Sequence, residues 1–318
     1  MIYFYIAIGL AVSAIGFGIF APFYAAHLVY TKVLKRESKA HWGREVSSDH
    51  PKALQMDEIG MQWQREHDQY RQDVHIVRDG DNLYGEYYDL GYDKAAIILS
   101  GRTESLRYGY YFAAPYSRFG CNILVIDPRA HGLSDGQFNT VGFEESLDAL
   151  AWTRFLADSK GVKSVVYHGI CIGAATGMLA ITHDDCPACV RGIVTEGMFI
   201  NFRESMKNHL IERKKPVFPI LQCIDFWMKR YTGHSMSKGP VDVIGKLNKP
   251  ILMLQSKEDR YSTCTNAKKL FALCGTEQKQ LVLFDHGEHS MLRITDTEKY
   301  DLAITNYLTG LFSAKAAD

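Results

Sequence analysis

The chain has 318 residues, 36 Lys and Arg against 36 Asp and Glu, and 47% hydrophobic residues. That length is ample for one large domain with a sizeable core, and the mixed composition excludes intrinsic disorder. A formal charge of zero excludes a general nucleic-acid binder, whose footprint is basic, so no nucleic-acid partner is expected.

All 72 formal charges fall after Thr31. Residues Ile2 to Thr31 carry no Asp, Glu, Lys or Arg, and roughly 20 apolar residues suffice to cross a bilayer as a helix. Tyr3, Tyr5, Tyr24 and Tyr30 sit toward the ends of the run, where amphipathic rings prefer the headgroup level. A cleaved signal peptide wants a positive segment before a shorter apolar core. Here the basic residues Lys32, Lys35, Arg36 and Lys39 follow it, beside Glu37. Residues 1–31 are therefore read as a single-pass transmembrane anchor. By the positive-inside rule the downstream chain is cytoplasmic.

Residues 32–72 are polar and mixed and are expected to form a connector, partly helical, ending in an arm packed on the main domain. From Asp73 the pattern turns to strands and helices in alternation, giving a main domain over 73–318. Two short runs around Asp79-Gly80-Asp81 signal a hairpin. Short apolar, β-branched runs follow at 95–99, 122–126, 164–168, 192–194, 250–254 and 280–284. Helix-like patterns lie at 143–159, 174–181 and 297–312. Continuous apolar strands alternating with helices predict an α/β fold, a mostly parallel sheet covered on both faces. Residues 197–248 interrupt the alternation with irregularly spaced Phe, Met and Trp. They are read as a small helical cap roofing an active site, in preference to a pair of core helices.

The seven cysteines are odd in number and show no framework spacing, so they are expected to be reduced. Cys186-Pro-Ala-Cys189 is a lone CxxC, read as a plain loop rather than a redox or metal site. No metal and no cofactor are called for. The strongest chemical signal is Gly169-Ile170-Cys171-Ile172-Gly173, where an apolar strand runs straight into a helix. This is the G-x-nucleophile-x-G elbow with cysteine in the place usually held by serine. The turn strains the nucleophile's backbone, so the residues two before and two after must be small. The helix that follows aims its N-terminal N–H groups at the site, favouring a thiolate or a developing oxyanion.

With that elbow, the chain resembles the α/β-hydrolases over roughly residues 73 to 312. Asp127-Pro-Arg-Ala-His-Gly-Leu-Ser134 is similar to the D-x-R-G-x-G-x-S loop of many such enzymes; Asp127, Arg129, His131 and Ser134 are taken as structural. The resemblance implies a fold with helices on both faces of the sheet and a triad in the order nucleophile, acid, histidine. After the strand at 250–254 it selects Asp259 as the acid, with Glu258 as the alternative. After the strand at 280–284 it selects His289 over His286, because the family's histidine usually follows a glycine by two positions. It implies an oxyanion hole from the backbone N–H of Ile172 and, by match to the loop after the first parallel strand, of Arg102 in Ser100-Gly101-Arg102-Thr103. Ser100 stands where relatives commonly have histidine.

Most relatives use serine, whereas dienelactone hydrolases resemble this chain in using cysteine. The reading is a membrane-anchored hydrolase of carboxylic esters or thioesters, a carboxylesterase- or thioesterase-like enzyme working through a Cys-His-Asp triad and an acyl-enzyme. Its partners are a small acyl ester or thioester and the membrane; an apolar cap beside a bilayer invites a lipid-derived acyl group. The alternative is a non-catalytic binding or scaffold protein that keeps the fold.

Overall fold

The computed structural model describes residues 1–36, 49–102 and 104–313. Glu37, Lys39 and Thr103, named above, lie outside them. The elements run in chain order as α1 (Ile2–Leu34), α2 (Pro51–His67), β1 (Arg71–Arg78), β2 (Asp81–Tyr88), β3 (Lys94–Leu99), α3 (Leu106–Phe119), β4 (Asn122–Ile126), α4 (Phe143–Ser159), β5 (Ser164–Ile170), α5 (Ile172–Ile181) and β6 (Val190–Glu196). They continue as α6 (Phe202–Glu212), α7 (Ile220–Thr232), α8 (Pro240–Val243), β7 (Ile251–Ser256), α9 (Cys264–Leu273), β8 (Lys279–Phe284), α10 (Leu292–Thr295) and α11 (Thr297–Ser313).

The eight strands form one sheet in the order β1-β2-β4-β3-β5-β6-β7-β8. The opening hairpin is antiparallel and also pairs antiparallel to β4; β4, β3, β5, β6, β7 and β8 are mutually parallel. Central strands read Ala-Ala-Ile-Ile-Leu and Val-Val-Tyr because both of their faces are covered. On one face lies a core with Trp152, Leu156 and Met178. On the other lies a core with Phe112, Tyr116 and Tyr300.

The chain leaves β3 toward β4 on one side and returns to β5 on the other. The strand order therefore reverses between β3 and β5. The C-terminal ends of those two strands flank this reversal, the usual place of the ligand crevice in an open parallel sheet.

The Asp127 loop braces the floor of this crevice. Asp127 Oδ1 accepts the N–H of Leu106 at 2.8 Å and Oδ2 that of Leu133 at 2.9 Å. Ser134 Oγ donates to the Asp127 carbonyl at 2.7 Å. A side chain at Gly132, whose φ is +49°, would collide with the Asp127 carboxylate. Arg129 reaches Asp148 through two bonds of 3.1 and 2.8 Å and also bonds Asp81. Arg78 joins the same carboxylate at 2.5 Å.

Asp148 is thus a buried anion shared by two arginines. Removing one member of such a group strands the others in low dielectric. The variant Asp148→Ala is expected to lose about 3–5 kcal/mol of stability, read as a lowered urea midpoint of the full chain in detergent.

Candidate active site

The last bond of β5 is at Ile170 and the first residue of α5 is Ile172, so Cys171 is the whole turn. Its φ of 54° and ψ of −112° lie outside the regions open to most side chains. A Cβ on Gly169 would stand 2.3 Å from the Gly173 carbonyl oxygen. One on Gly173 would stand 1.9 Å from that of Leu99, at the end of β3. The two glycines let α5 press onto the sheet. Ile172 is the first helical residue, so its N–H has no acceptor inside α5. The Ser100–Arg102 segment lies directly against the turn: a Cβ on Gly101 would sit 3.6 Å from Cys171 Cβ.

The Cys171 side chain faces His289, which lies on the loop after β8, and each group acts electrostatically on the other. The other side of that ring faces Asp259 on the loop after β7, with Nδ1 to Oδ2 at 2.6 Å. Asp259 is 5% exposed. Its second oxygen accepts the N–H groups of Tyr261 at 2.8 Å and Ser262 at 2.9 Å, which fixes its rotamer. The structure brings together Cys171, His289 and Asp259, three residues from the C-terminal ends of three strands.

The two residues passed over in the sequence also find each other, elsewhere. Glu258 accepts from the His286 ring at 3.0 Å, and both are exposed. His168, close to Cys171 in sequence, is remote from the sulfur chemistry. It is fully buried between the hydroxyls of Tyr116 at 2.8 Å and Tyr300 at 3.1 Å. Burial pushes it down to about 3, so it is uncharged there. Cys186 and Cys189 are free thiols beside the start of β6, at the opposite end of the sheet from Cys171, with Lys249 Nζ 3.5 Å from the Cys186 sulfur.

Sequence reasoning missed two residues at the end of β6. The Glu196 backbone carbonyl accepts the Cys171 N–H at 2.9 Å. Its side chain, fully buried, accepts the Leu292 N–H at 3.0 Å and the Tyr300 hydroxyl at 2.6 Å. It therefore ties the elbow to the histidine loop. Burial pushes its carboxyl up, and the two donated hydrogen bonds offset this only in part. Gly197, with φ +60°, lies where a Cβ would stand 3.1 Å from His289 Cε1. The signal available was a Glu-Gly pair closing a buried strand, which has no distinctive spacing.

Helix α6 reaches the site through Tyr261. The His209 ring of α6 stacks on Tyr261 at 3.8 Å, and Tyr261 meets His289 edge to face at 5.6 Å. Cys171 and Ile172 also join an apolar cluster with Phe199, Met206, Ile224 and Met228 from the cap region. A cleft of about 630 Å³ opens beside His289, lined also by Glu212, Arg260 and Tyr261.

No protein-family model matches the chain. It is similar to an uncharacterized protein of Bacillus subtilis, YqkD, with 28% identity over 219 residues, covering 68% of this chain and 71% of that one. Among solved structures, the Pyrococcus furiosus esterase Pf2001 superposes with a TM-score of 0.65 at 20% identity, over 78% of this chain and 94% of its own. The α/β hydrolase GrgF of Penicillium does so with a TM-score of 0.60 at 16% identity, over 76% of this chain and 99% of its own. The fold is that of the α/β-hydrolases. The mostly parallel sheet with helices is what the sequence resemblance implied.

Electrostatics set the state of the sulfur. Burial pushes the Cys171 thiol up, but the imidazolium of His289, the hydrogen bond to it and the Arg102 guanidinium outweigh burial. The thiol ends below its ordinary value. Burial opposes a charge on His289 too, but facing Cys171 and Asp259 it is held well above the ordinary imidazole range. Each shift favours the charged form of its group, a thiolate beside an imidazolium. An ordinary thiol, with a pKa of about 8.5, is mostly protonated at pH 7. Alkylation of Cys171 should stay fast below that value and fall only on the acid side. His289→Gln leaves burial unopposed by the imidazolium and should slow alkylation at pH 7 by about tenfold or more, measured by peptide mass mapping with Cys223 as internal reference.

Proposed function

We propose that this protein is a hydrolase of carboxylic esters or thioesters, held to a membrane by α1 with the catalytic domain on the cytoplasmic side. The alignment of Cys171, His289 and Asp259, with His289 hydrogen-bonded to Asp259 and Cys171 set at a strained elbow, is the observation that carries this reading. The esterase among the superposable structures agrees with it.

In the first half-reaction the Cys171 thiolate attacks the acyl carbonyl carbon and a C–S bond forms. Negative charge moves to the carbonyl oxygen, within reach of the N–H groups of Ile172 and Arg102. Each such donor contributes about 3 kcal/mol to a transition state of this kind. The intermediate collapses, expelling the alcohol or thiol, which takes its proton from the His289 imidazolium. In the second half-reaction neutral His289 removes a proton from water as its oxygen bonds the thioester carbon. Collapse then breaks the C–S bond, releases the carboxylic acid and restores thiolate and imidazolium. Asp259 keeps the His289 Nδ1–H pointed away from the sulfur and stabilises the ring when charged. Amides are poor substrates in this scheme, because a thiolate leaves a tetrahedral intermediate more readily than an amine.

Two features of α1 support its role as anchor. It is 33 residues long with a mean hydropathy of 2.1 over its most apolar window, and none of that window is buried. Such a surface is costly in water and favourable in hydrocarbon.

The test uses the full chain in detergent or nanodiscs against a panel of acyl esters and thioesters. Wild type should turn over at least one class, with Cys171→Ala at background. Asp259→Asn should lose about 10²- to 10⁴-fold in kcat. A wild-type rate indistinguishable from Cys171→Ala across the panel would leave a binding or scaffold protein instead.

A further inference from the structure

Only part of α1 is covered by protein. Met1 to Ala14 are all exposed, whereas Ala26, Tyr30 and Leu34 are fully buried. The cover is α7. Phe23 meets the rings of Phe226 and Trp227 at 5.2 and 4.7 Å, and Trp227 Nε1 donates to the Phe23 carbonyl at 3.2 Å. His27 lies 4.5 Å from the Trp227 ring and bonds Tyr231 at 3.0 Å, while Tyr30 stacks on Tyr231 at 5.5 Å. Both helices advance together through these pairs, so they run parallel. The N-terminal end of α7 therefore points the same way as the N-terminal end of α1.

A helix rises 1.5 Å per residue, so going back along α7 from Phe226 to Ile220 climbs about 9 Å. That brings the start of α7 level with the turn of α1 around Phe17 to Phe20. About 20 residues of helix cross the hydrocarbon of a bilayer, which from Ile2 reaches about Ala21. The start of α7 and the residues just before it then stand at the depth of headgroups and upper acyl chains.

Their composition suits that depth. Arg213, Lys214 and Lys215 are exposed and lead into Pro216-Val217-Phe218-Pro219. Phe218 is 75% exposed and Phe226 50%, as Phe17 and Phe20 are at 76% and 72%. Aromatic rings gain by entering a membrane interface, and lysine and arginine stems can bury while their charges meet lipid phosphates.

We propose that Arg213–Phe218 and the exposed face of α7 form a second membrane-contact surface, seated in the lipid leaflet that α1 enters. The proposal rests on α1 being a membrane anchor. The basic residues meet anionic headgroups and Phe218 enters the acyl layer. The inner side of α7 places Leu221, Ile224 and Met228 in the same apolar cluster as Ile172 and Cys171. An ester whose acyl chain lies in the bilayer thus has apolar contact from the lipid to the nucleophile.

The experiment reconstitutes the full chain in nanodiscs containing anionic phospholipid and a phospholipid with a photoactivated carbene precursor in its acyl chain, and maps adducts by mass spectrometry. Adducts are expected on α1 and on the peptide bearing Phe218, but not on the α11 peptide bearing the exposed Leu302. Labelling of α1 without Phe218 would overturn the second surface and leave the anchor standing. Labelling of neither would overturn both. Lys214→Glu combined with Lys215→Glu should reduce the yield at Phe218 severalfold relative to α1, which serves as the internal reference for a folded, inserted protein. An unchanged ratio would overturn the electrostatic half of the proposal.

Discussion

The contact on which the site depends is that of Gly173 with the carbonyl of Leu99, so close that a methyl group would overlap the oxygen. It joins the start of α5 to the end of β3. Through it the turn bearing Cys171 and the Ser100–Arg102 loop are held at one distance, across the point where strand order reverses. The unusual backbone of Cys171 is tolerable because its neighbours fix it: its N–H is taken by the Glu196 carbonyl, and the sheet on either side cannot relax. Strain at Cys171 and close approach at the glycines are two sides of one constraint.

A second layer of constraint holds the imidazole. Asp259 is itself fastened by two backbone N–H groups, Gly197 leaves room for the ring, and Glu196 holds the start of α10 just beyond it. The Tyr108 hydroxyl adds a bond to the Ser290 carbonyl at 2.8 Å. The histidine loop, which has little regular structure of its own, is placed by groups from β6, β7 and α3. Pre-set geometry of this kind spares the reacting groups the cost of reorganising as charge develops.

Much of this was readable because the chemistry is written in local patterns. The Gly169-to-Gly173 segment carries its steric requirement in five residues. Asp259 and His289 each follow an apolar run that could only be a strand. Other parts were invisible for physical reasons. The stretch that forms α3 contains Gly109 and Pro115 among tyrosines, and its helix is decided by burial against the sheet rather than by intrinsic preference. Gly109 is there because Val125 approaches to 3.0 Å of where its Cβ would be, a fact of tertiary contact. Glu196 looks like any acid at a strand end; its burial among Tyr300, Leu292 and the elbow appears only when distant segments meet. In α1, hydropathy cannot separate residues that stay exposed from residues that pack on the domain. The helix continues to Leu34, and one side of its last third, carrying Ala26, Tyr30 and Leu34, is covered by the domain.

That cladding bears on how the molecule is mounted. The Asn139 N–H bonds the Leu34 carbonyl at 2.9 Å, and the Arg36 N–H bonds that of Gln137 at 2.9 Å. The Arg36 guanidinium grips the carbonyls of Ser134 and Gly132, on the loop that braces the crevice floor. These bonds fasten the end of α1 directly to the body, so it behaves as a mast rather than a leash. Whatever fixes the tilt of that helix also fixes the direction in which the Cys171 crevice opens, and a shift at one end is carried bodily to the other.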